Sequence, residues 1–189
     1  MARSLATSKR RRSAGASKRE SDLVACSASR GRFVCCVRRT SNPESINTMS
    51  GPNILILCTG NSCRSQIAEG YFRHYAADRF ETHSAGTEPK SEVHPLAVQV
   101  MTEEGLDISG HRPKDLQEFL GHIAVRYLIV VCDGANENCP RIWPGVLNRL
   151  YWPFADPAAF QGSPEATLNE FRRIRDEIKA QILAWLQDV

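Results

Sequence analysis

Asn53-Ile54-Leu55-Ile56-Leu57-Cys58-Thr59-Gly60-Asn61-Ser62-Cys63-Arg64-Ser65 is the stretch on which the reading of this chain turns. Its first six residues form a short apolar run, the pattern of a buried strand. Ser65–Ala77 follows with a helical stripe of Ile67, Ala68, Tyr71, Phe72 and Tyr75. Between strand and helix, a cysteine, five intervening residues and an arginine can close into an anion cradle. Backbone N–H groups of Thr59, Gly60, Asn61, Ser62, Cys63 and Arg64 would point inward, as at other helix N-termini. Arg64 adds a planar fork matched to two oxygens of a tetrahedral anion. The helix dipole and Arg64 both favour a thiolate at Cys58, and the thiolate is the nucleophile. Gly60 and Asn61 suit the left-handed backbone of so tight a loop. The plainer reading is a strand-to-helix turn with a buried cysteine. A bare Cys-x5-Arg match is weak, and it is the strand, the Gly-Asn pair and the helix around it that give it weight.

Further along, the chain alternates strands and helices. Phe80–Ala85, Val125–Cys132 and Val146–Trp152 read as strands. His94–Glu104 and Thr167–Leu186 read as helices, and Pro113–Leu120 as a short one. In the last long helix Leu168, Phe171, Ile174, Ile178, Ile182 and Leu186 form the inner face. Asp133–Pro140 reads as a loop or broken helical turn. This order predicts an α/β three-layer sandwich around a central four-stranded parallel sheet. Ligands of such sheets bind beyond the carboxyl ends of the strands. Cys58 and Cys132 end two predicted strands, and Asp156 follows a third, so the three should meet at one edge.

The 189 residues carry a formal net charge of +3, divided unevenly. Residues 1–48 hold 11 Lys and Arg against 3 Asp and Glu, while the remainder holds 13 against 18. Residues 1–50 thus read as a basic, Ser-rich, disordered leader: a phosphate-seeking arm, an organelle transit segment, or sequence upstream of a start at Met49. We read the last as the best fit, with the folded domain spanning 51–189. No apolar run is long enough to span a bilayer. Nothing suggests nucleic-acid binding by the folded domain, and a monomer is the default.

Of the seven cysteines, Cys58, Cys63, Cys132 and Cys139 lie in the body. Their spacing suits neither a zinc site nor a secreted disulfide scaffold, and points to a reducing, cytoplasmic setting. With phosphate, attack by Cys58 gives a phosphocysteine that water hydrolyses. With arsenate, a second thiol can take the sulfur of the adduct, releasing arsenic(III) and leaving a disulfide. Cys132 is placed for that step, and Cys139 for freeing the first thiol. If the intervening residues were helical, the two Cα atoms would lie about 10 Å apart at roughly 1.5 Å rise per residue. A disulfide wants about 5.5 Å. Residues 132–140 must therefore rearrange, and Gly134, Asn136 and Pro140 favour that. Two cysteines buried as small hydrophobes is the competing reading. Cys63 reads as a packing residue. Ser65 is a hydrogen-bond donor to Cys58 or an ordinary helix cap. Asp156 is a general acid or an Asp-Pro turn, and the residues alone do not separate the two. His74, His83, His94, His111 and His122 lack metal spacing, and Trp143, Trp152 and Trp185 read as packing residues.

Cys58 to Gly70, CTGNSCRSQIAEG, resembles the signature of arsenate reductases built on the low-molecular-weight protein tyrosine phosphatase fold. Val131-Cys132-Asp133-Gly134 and Asn138-Cys139-Pro140 are similar to that family's two further redox cysteines. Phe154–Ala158 resembles its acid loop, and Phe171–Ile178 its final helix. The resemblance implies the thioredoxin-coupled branch, with no bound cofactor and with glutaredoxin as an alternative carrier. It implies Cys58 as nucleophile, Arg64 as oxyanion clamp, Ser65 as thiolate stabiliser, Asp156 as acid, and Cys132 and Cys139 as relay thiols. Asn61, Glu69 and Ser84 match loop-supporting positions that in some members help hold potassium. Those members carry Thr and Asp where this chain has Ser109–Lys114, and a lysine there can stand in for the cation. The sister phosphatases share much of the loop. They usually follow Asp-Pro with tyrosines, where this chain has Ala158-Ala159, and they have no need of Cys132 and Cys139.

Overall fold

The computed structural model describes residues 51–138 and 146–189. The leader, Cys139 and Trp143 lie outside the described residues. Four strands, β1 (Asn53–Cys58), β2 (Glu81–Gly86), β3 (Val125–Val130) and β4 (Asn148–Tyr151), form a parallel sheet in the order β2-β1-β3-β4. Ile54, Leu55, Ile56 and Leu57 are all fully buried, so β1 is covered on both faces. That is the reason its sequence reads as a continuous apolar run rather than an alternating one.

Among the described residues four α-helices accompany the sheet: α1 (Arg64–Ala76), α2 (Pro95–Glu103), α3 (Asp133–Asn138) and α4 (Pro164–Asp188). α1 packs on β1, β2 and α4, while α2 leans on α4 and α1. α4 buries Phe171, Ile174, Ile178 and Ile182 completely, each worth about 1.5–3 kcal/mol relative to exposure. Trp185 of α4 meets Phe72 edge-on at 5.7 Å, Tyr127 at 5.0 Å and Trp152 at 6.0 Å between ring centroids. Both of these tryptophans are therefore packing residues, as their sequence context suggests.

The differences from the sequence reading have local causes. α4 begins at Pro164 because Ser163 caps it, its Oγ accepting from Ala166 N at 3.2 Å. Only Leu116–Glu118 of the predicted Pro113–Leu120 helix forms, as one 3₁₀ turn closed by an Asp115–Glu118 capping box. Asp133–Asn138 is helical rather than a broken turn. Asp133 in its first turn complements the dipole, and Asn136 N donates to Cys132 O at 3.1 Å. Tyr75, predicted inward, is 37% exposed and stacks on Tyr71 from outside.

In the strand order, β1 sits between its two sequence successors, β2 and β3. The connections leave β1 and β3 in opposite senses, which opens a crevice at their carboxyl ends. Cys58 closes β1, and Cys132 lies two residues past β3. Gly86 closes β2 beside Cys58. The loops after all three strands therefore start from one edge.

Candidate active site

The loop 58–64 is held from outside by the segment that follows β2. Thr87 N donates to Cys58 O at 3.3 Å, Glu88 N to Thr59 O at 2.9 Å and Lys90 N to Gly60 O at 2.9 Å. His94 N donates to Ser62 O at 2.9 Å, and the Gln66 side-chain amide donates to Asn61 O at 2.9 Å. The loop carbonyls are thus satisfied on the outer side. α1 begins at Arg64 with no side-chain cap and no acidic residue in its first turn. Its first N–H groups and positive dipole end are left for an anion.

Asn61 fixes the loop's shape. Its φ is 45°, the left-handed region that asparagine tolerates. Its side-chain amide donates to Ser65 Oγ at 2.9 Å and Ser84 Oγ at 2.8 Å, and its carbonyl accepts from Lys114 N at 2.8 Å. Ser84 donates in turn to Glu69. Glu69 is fully buried and paired with Lys114 Nζ at 3.1 Å and Arg73 at 2.5 Å. Asn61, Glu69 and Ser84, the residues expected to support the loop, are joined in this one network. The Asn61 side chain turns to Ser65 and Ser84, and Asn61, expected to offer its backbone N–H to the substrate, is not among the residues that line the cavity.

The cavity beside the loop measures about 330 Å³, lined by Cys58, Thr59, Gly60, Ser62, Cys63 and Arg64 on the loop. Glu88, Lys90, Asp156 and Ala158 complete its wall. Arg64 donates to Phe154 O at 2.9 Å and pairs with Asp156 at 3.1 Å, while its buried Nε has no partner among the described residues. A buried, unpartnered guanidinium N–H beside a cavity is a donor waiting for an acceptor. Asp156 is brought there by its own turn, in which Oδ1 accepts from Ala158 N at 3.1 Å.

Cys58 and Cys132 are both buried, and the Cys132 sulfur lies against Thr59, the residue next to Cys58. Donation to Cys132 and burial push the Cys58 thiol well above its usual range, against the pull of Arg64 and the Gly60 N–H. Cys132 is shifted the opposite way, below the usual thiol range, chiefly by its interaction with Cys58. Thr59 N and Ala135 N also donate to its sulfur, at 3.2 and 3.4 Å. The two sulfurs therefore titrate as a pair and not as independent thiols. The Thr59 N–H, expected to face the substrate, faces Cys132 instead. Gly134 sits so close to Thr59 that a Cβ there would lie 2.8 Å from Thr59 Oγ1. The Cys63 thiol is pushed up to about 12 by burial, in keeping with a packing role. Ser65 Oγ accepts from Asn61, and no bond from Ser65 to Cys58 is formed among the described residues.

Glu88 and Lys90 were not singled out from the sequence. Their signal was topological: they follow β2, whose end lies beside Cys58. His94 caps α2 by accepting from Leu96 N at 3.2 Å, and His111 Nδ1 meets the Gln66 carbonyl at 3.1 Å, so these two are structural. Among the described residues no cluster of three or more His, Cys, Asp or Glu is placed to hold a metal ion, and no helix is long and apolar enough to cross a membrane.

The model of the family described as low molecular weight phosphotyrosine protein phosphatase matches residues 53–189. A protein of Shouchella clausii named arsenate reductase is 42% identical over 138 residues, covering 71% of this chain and 94% of that one. A solved arsenate reductase in its phosphate-binding state superposes with a TM-score of 0.61 at 29% identity, over 73% of this chain and 98% of the other. The thioredoxin-dependent arsenate reductase of Corynebacterium glutamicum gives 0.51 at 33% identity, over 72% of this chain and 64% of that protein.

Proposed function

This chain belongs to the low molecular weight phosphotyrosine protein phosphatase family, and within it we propose that the chain is an arsenate reductase that draws its electrons from thioredoxin. The observation that carries this reading is the placing of the Cys132 sulfur directly behind the cradle, where it accepts from Thr59 N at 3.2 Å, one residue from the Cys58 that lines the anion cavity. A hydrolase needs one nucleophile there. A reductase needs a second thiol within reach of the first. The names of the relatives and the thioredoxin dependence of the C. glutamicum protein support the same reading.

The chemistry then runs as follows. Arsenate enters the cavity, and its oxygens take the α1 N–H groups and the Arg64 Nε. Cys58 gives its proton to the Cys132 thiolate and attacks arsenic, and Asp156 protonates the departing oxygen, which leaves as water. Cys132 gives that proton up to water and, as a thiolate again, attacks Cys58 Sγ. The S–As electron pair stays on arsenic, which leaves as arsenite, and a Cys58–Cys132 disulfide remains. Cys139, which lies outside the described residues, attacks Cys132 and frees Cys58. The thioredoxin dithiol reduces the Cys132–Cys139 disulfide, so two electrons pass from dithiol to arsenate per turnover. α3 lies between the two relay positions. A disulfide across it requires the helix to open, since about 10 Å of helical rise must shrink to about 5.5 Å.

A residual phosphatase activity fits the same cradle, with Asp156 as acid. Among the described residues the cavity wall carries Ala158 and no aromatic ring, so none of these residues gives an aryl phosphate a stacking partner. In the test, purified protein with thioredoxin, thioredoxin reductase and NADPH oxidises NADPH only when arsenate is added. Turnover supported by glutathione and glutaredoxin alone would reassign the carrier. Absence of turnover with either would overturn the reading.

Potassium has no part in this reading. The position framed by Asn61, Glu69 and Ser84 holds the Lys114 ammonium on Glu69, and these residues do not fit a second cation. Exchange of potassium for sodium at constant ionic strength is expected to change kcat/KM by less than about twofold. A tenfold gain in potassium would contradict it.

A further inference from the structure

Lys90 lies on the cavity wall, 32 residues beyond Cys58 in sequence, and belongs to none of the motifs discussed above. Its backbone N–H donates to Gly60 O at 2.9 Å. Its stem lies along the loop: a Cβ on Gly60 would meet Lys90 Cγ at 3.1 Å and Cε at 3.6 Å. Both ends of the stem are therefore fixed near Gly60, and the side chain runs over the cradle. The other cations nearby are engaged. Arg64 is held by Asp156 and Phe154, while Lys114 and Arg73 are held by Glu69. Among the described residues the Lys90 ammonium has no ion-pair partner.

The charge around the cavity gives Lys90 a task. Arg64 and Lys90 share its wall with Asp156 and Glu88, and Arg64 is already paired with Asp156 at 3.1 Å. A doubly charged oxyanion entering this space finds a guanidinium already shared with a carboxylate, and a second positive charge is needed to match its own. We propose that Lys90 is a substrate-binding residue that supplies the second positive charge against a divalent tetrahedral anion, and that it selects such anions over monovalent ones of the same shape. The proposal deepens the oxyanion reading of the site and does not depend on which reaction follows binding. Glycine at position 60 leaves room for the lysine stem, since a Cβ there would lie 3.1 Å from Lys90 Cγ.

Shape and charge can be separated with two probes. Sulfate and perchlorate are both tetrahedral and differ by one unit of charge. Each, together with inorganic phosphate, should protect Cys58 from iodoacetamide, read at the Cys58 peptide by mass spectrometry. In Lys90→Met the half-protecting concentration of sulfate or phosphate is expected to rise about tenfold, and that of perchlorate about threefold, since the attraction scales with the anion's charge. Lys90→Arg should restore protection, and Lys90→Gln should behave like Lys90→Met. In turnover, the KM for arsenate should rise about tenfold with kcat within about twofold. Unchanged protection in Lys90→Met, or an equal loss for sulfate and perchlorate, would overturn the proposal. Should wild-type protein bind phosphate in this Lys90-dependent way yet turn over no arsenate, the reductase reading fails and this one stands.

Discussion

Cys58→Ser is expected to lower arsenate-dependent NADPH oxidation by at least about 10⁴-fold, as removal of a covalent nucleophile does elsewhere. The loss has two sources. An alcohol keeps its proton where a thiol can surrender it, even beside the Cys132 thiolate. More decisively, an oxygen adduct offers the second thiol no sulfur to attack, so the electron pair cannot be left on arsenic. The fold should survive, because Cys58 and serine differ by one atom at the end of β1. Phosphate binding, measured by calorimetry, should persist, since the α1 N–H groups and Arg64 are untouched. Retention of a tenth of wild-type reduction by Cys58→Ser would move the nucleophile elsewhere.

Cys132→Ser is expected to be just as damaging to reduction, by about 10³-fold or more, and nearly harmless to hydrolysis of p-nitrophenyl phosphate, which should stay within about tenfold. The two reactions part after the first covalent step: water can resolve a phosphocysteine, whereas the arsenic adduct waits for a thiol. The substitution also changes Cys58 itself. Donation to Cys132, followed by burial, raises the Cys58 thiol, and the charge of Cys132 raises it further. With that sulfur gone, Arg64 and the Gly60 N–H act against burial alone, so the Cys58 pKa falls. More of it is thiolate at neutral pH, and its alkylation by iodoacetamide should be faster than in wild type. Slower alkylation, or a reductase that keeps more than a tenth of its rate, would contradict the pairing of the two thiols.

How far the fold and site are readable from residues depends on how locally each part is determined. Asn53–Cys58 and Arg64–Ala76 are decided by neighbouring residues, and a buried strand, a Gly-Asn loop and an apolar stripe leave few alternatives. Cys132 was placed by topology, because the strand ending near it had to bring it to the sheet's carboxyl edge. Asp156 could not be separated from an ordinary turn until its pairing with Arg64 at 3.1 Å was seen. Glu88 and Lys90 were overlooked because backbone bonds bring them to the cavity, and no side-chain pattern marks those. The Thr59 N–H was assigned to the anion because loops of this kind usually turn their amides inward. Here a tertiary contact with Cys132 competes and wins. Helix α3 was missed because Gly134 and two asparagines carry low helix propensity, and the helix is held by its packing on β1 and β3.

The relay of sulfur atoms is the centre of the account, and one measurement reaches it directly. Fully reduced protein is given one equivalent of arsenate without thioredoxin, quenched with acid, alkylated and mapped by mass spectrometry. The account predicts one arsenite released per chain, a disulfide joining Cys132 to Cys139, and Cys58 returned to its free thiol. Arsenite released while Cys132 remains a reduced thiol would contradict it.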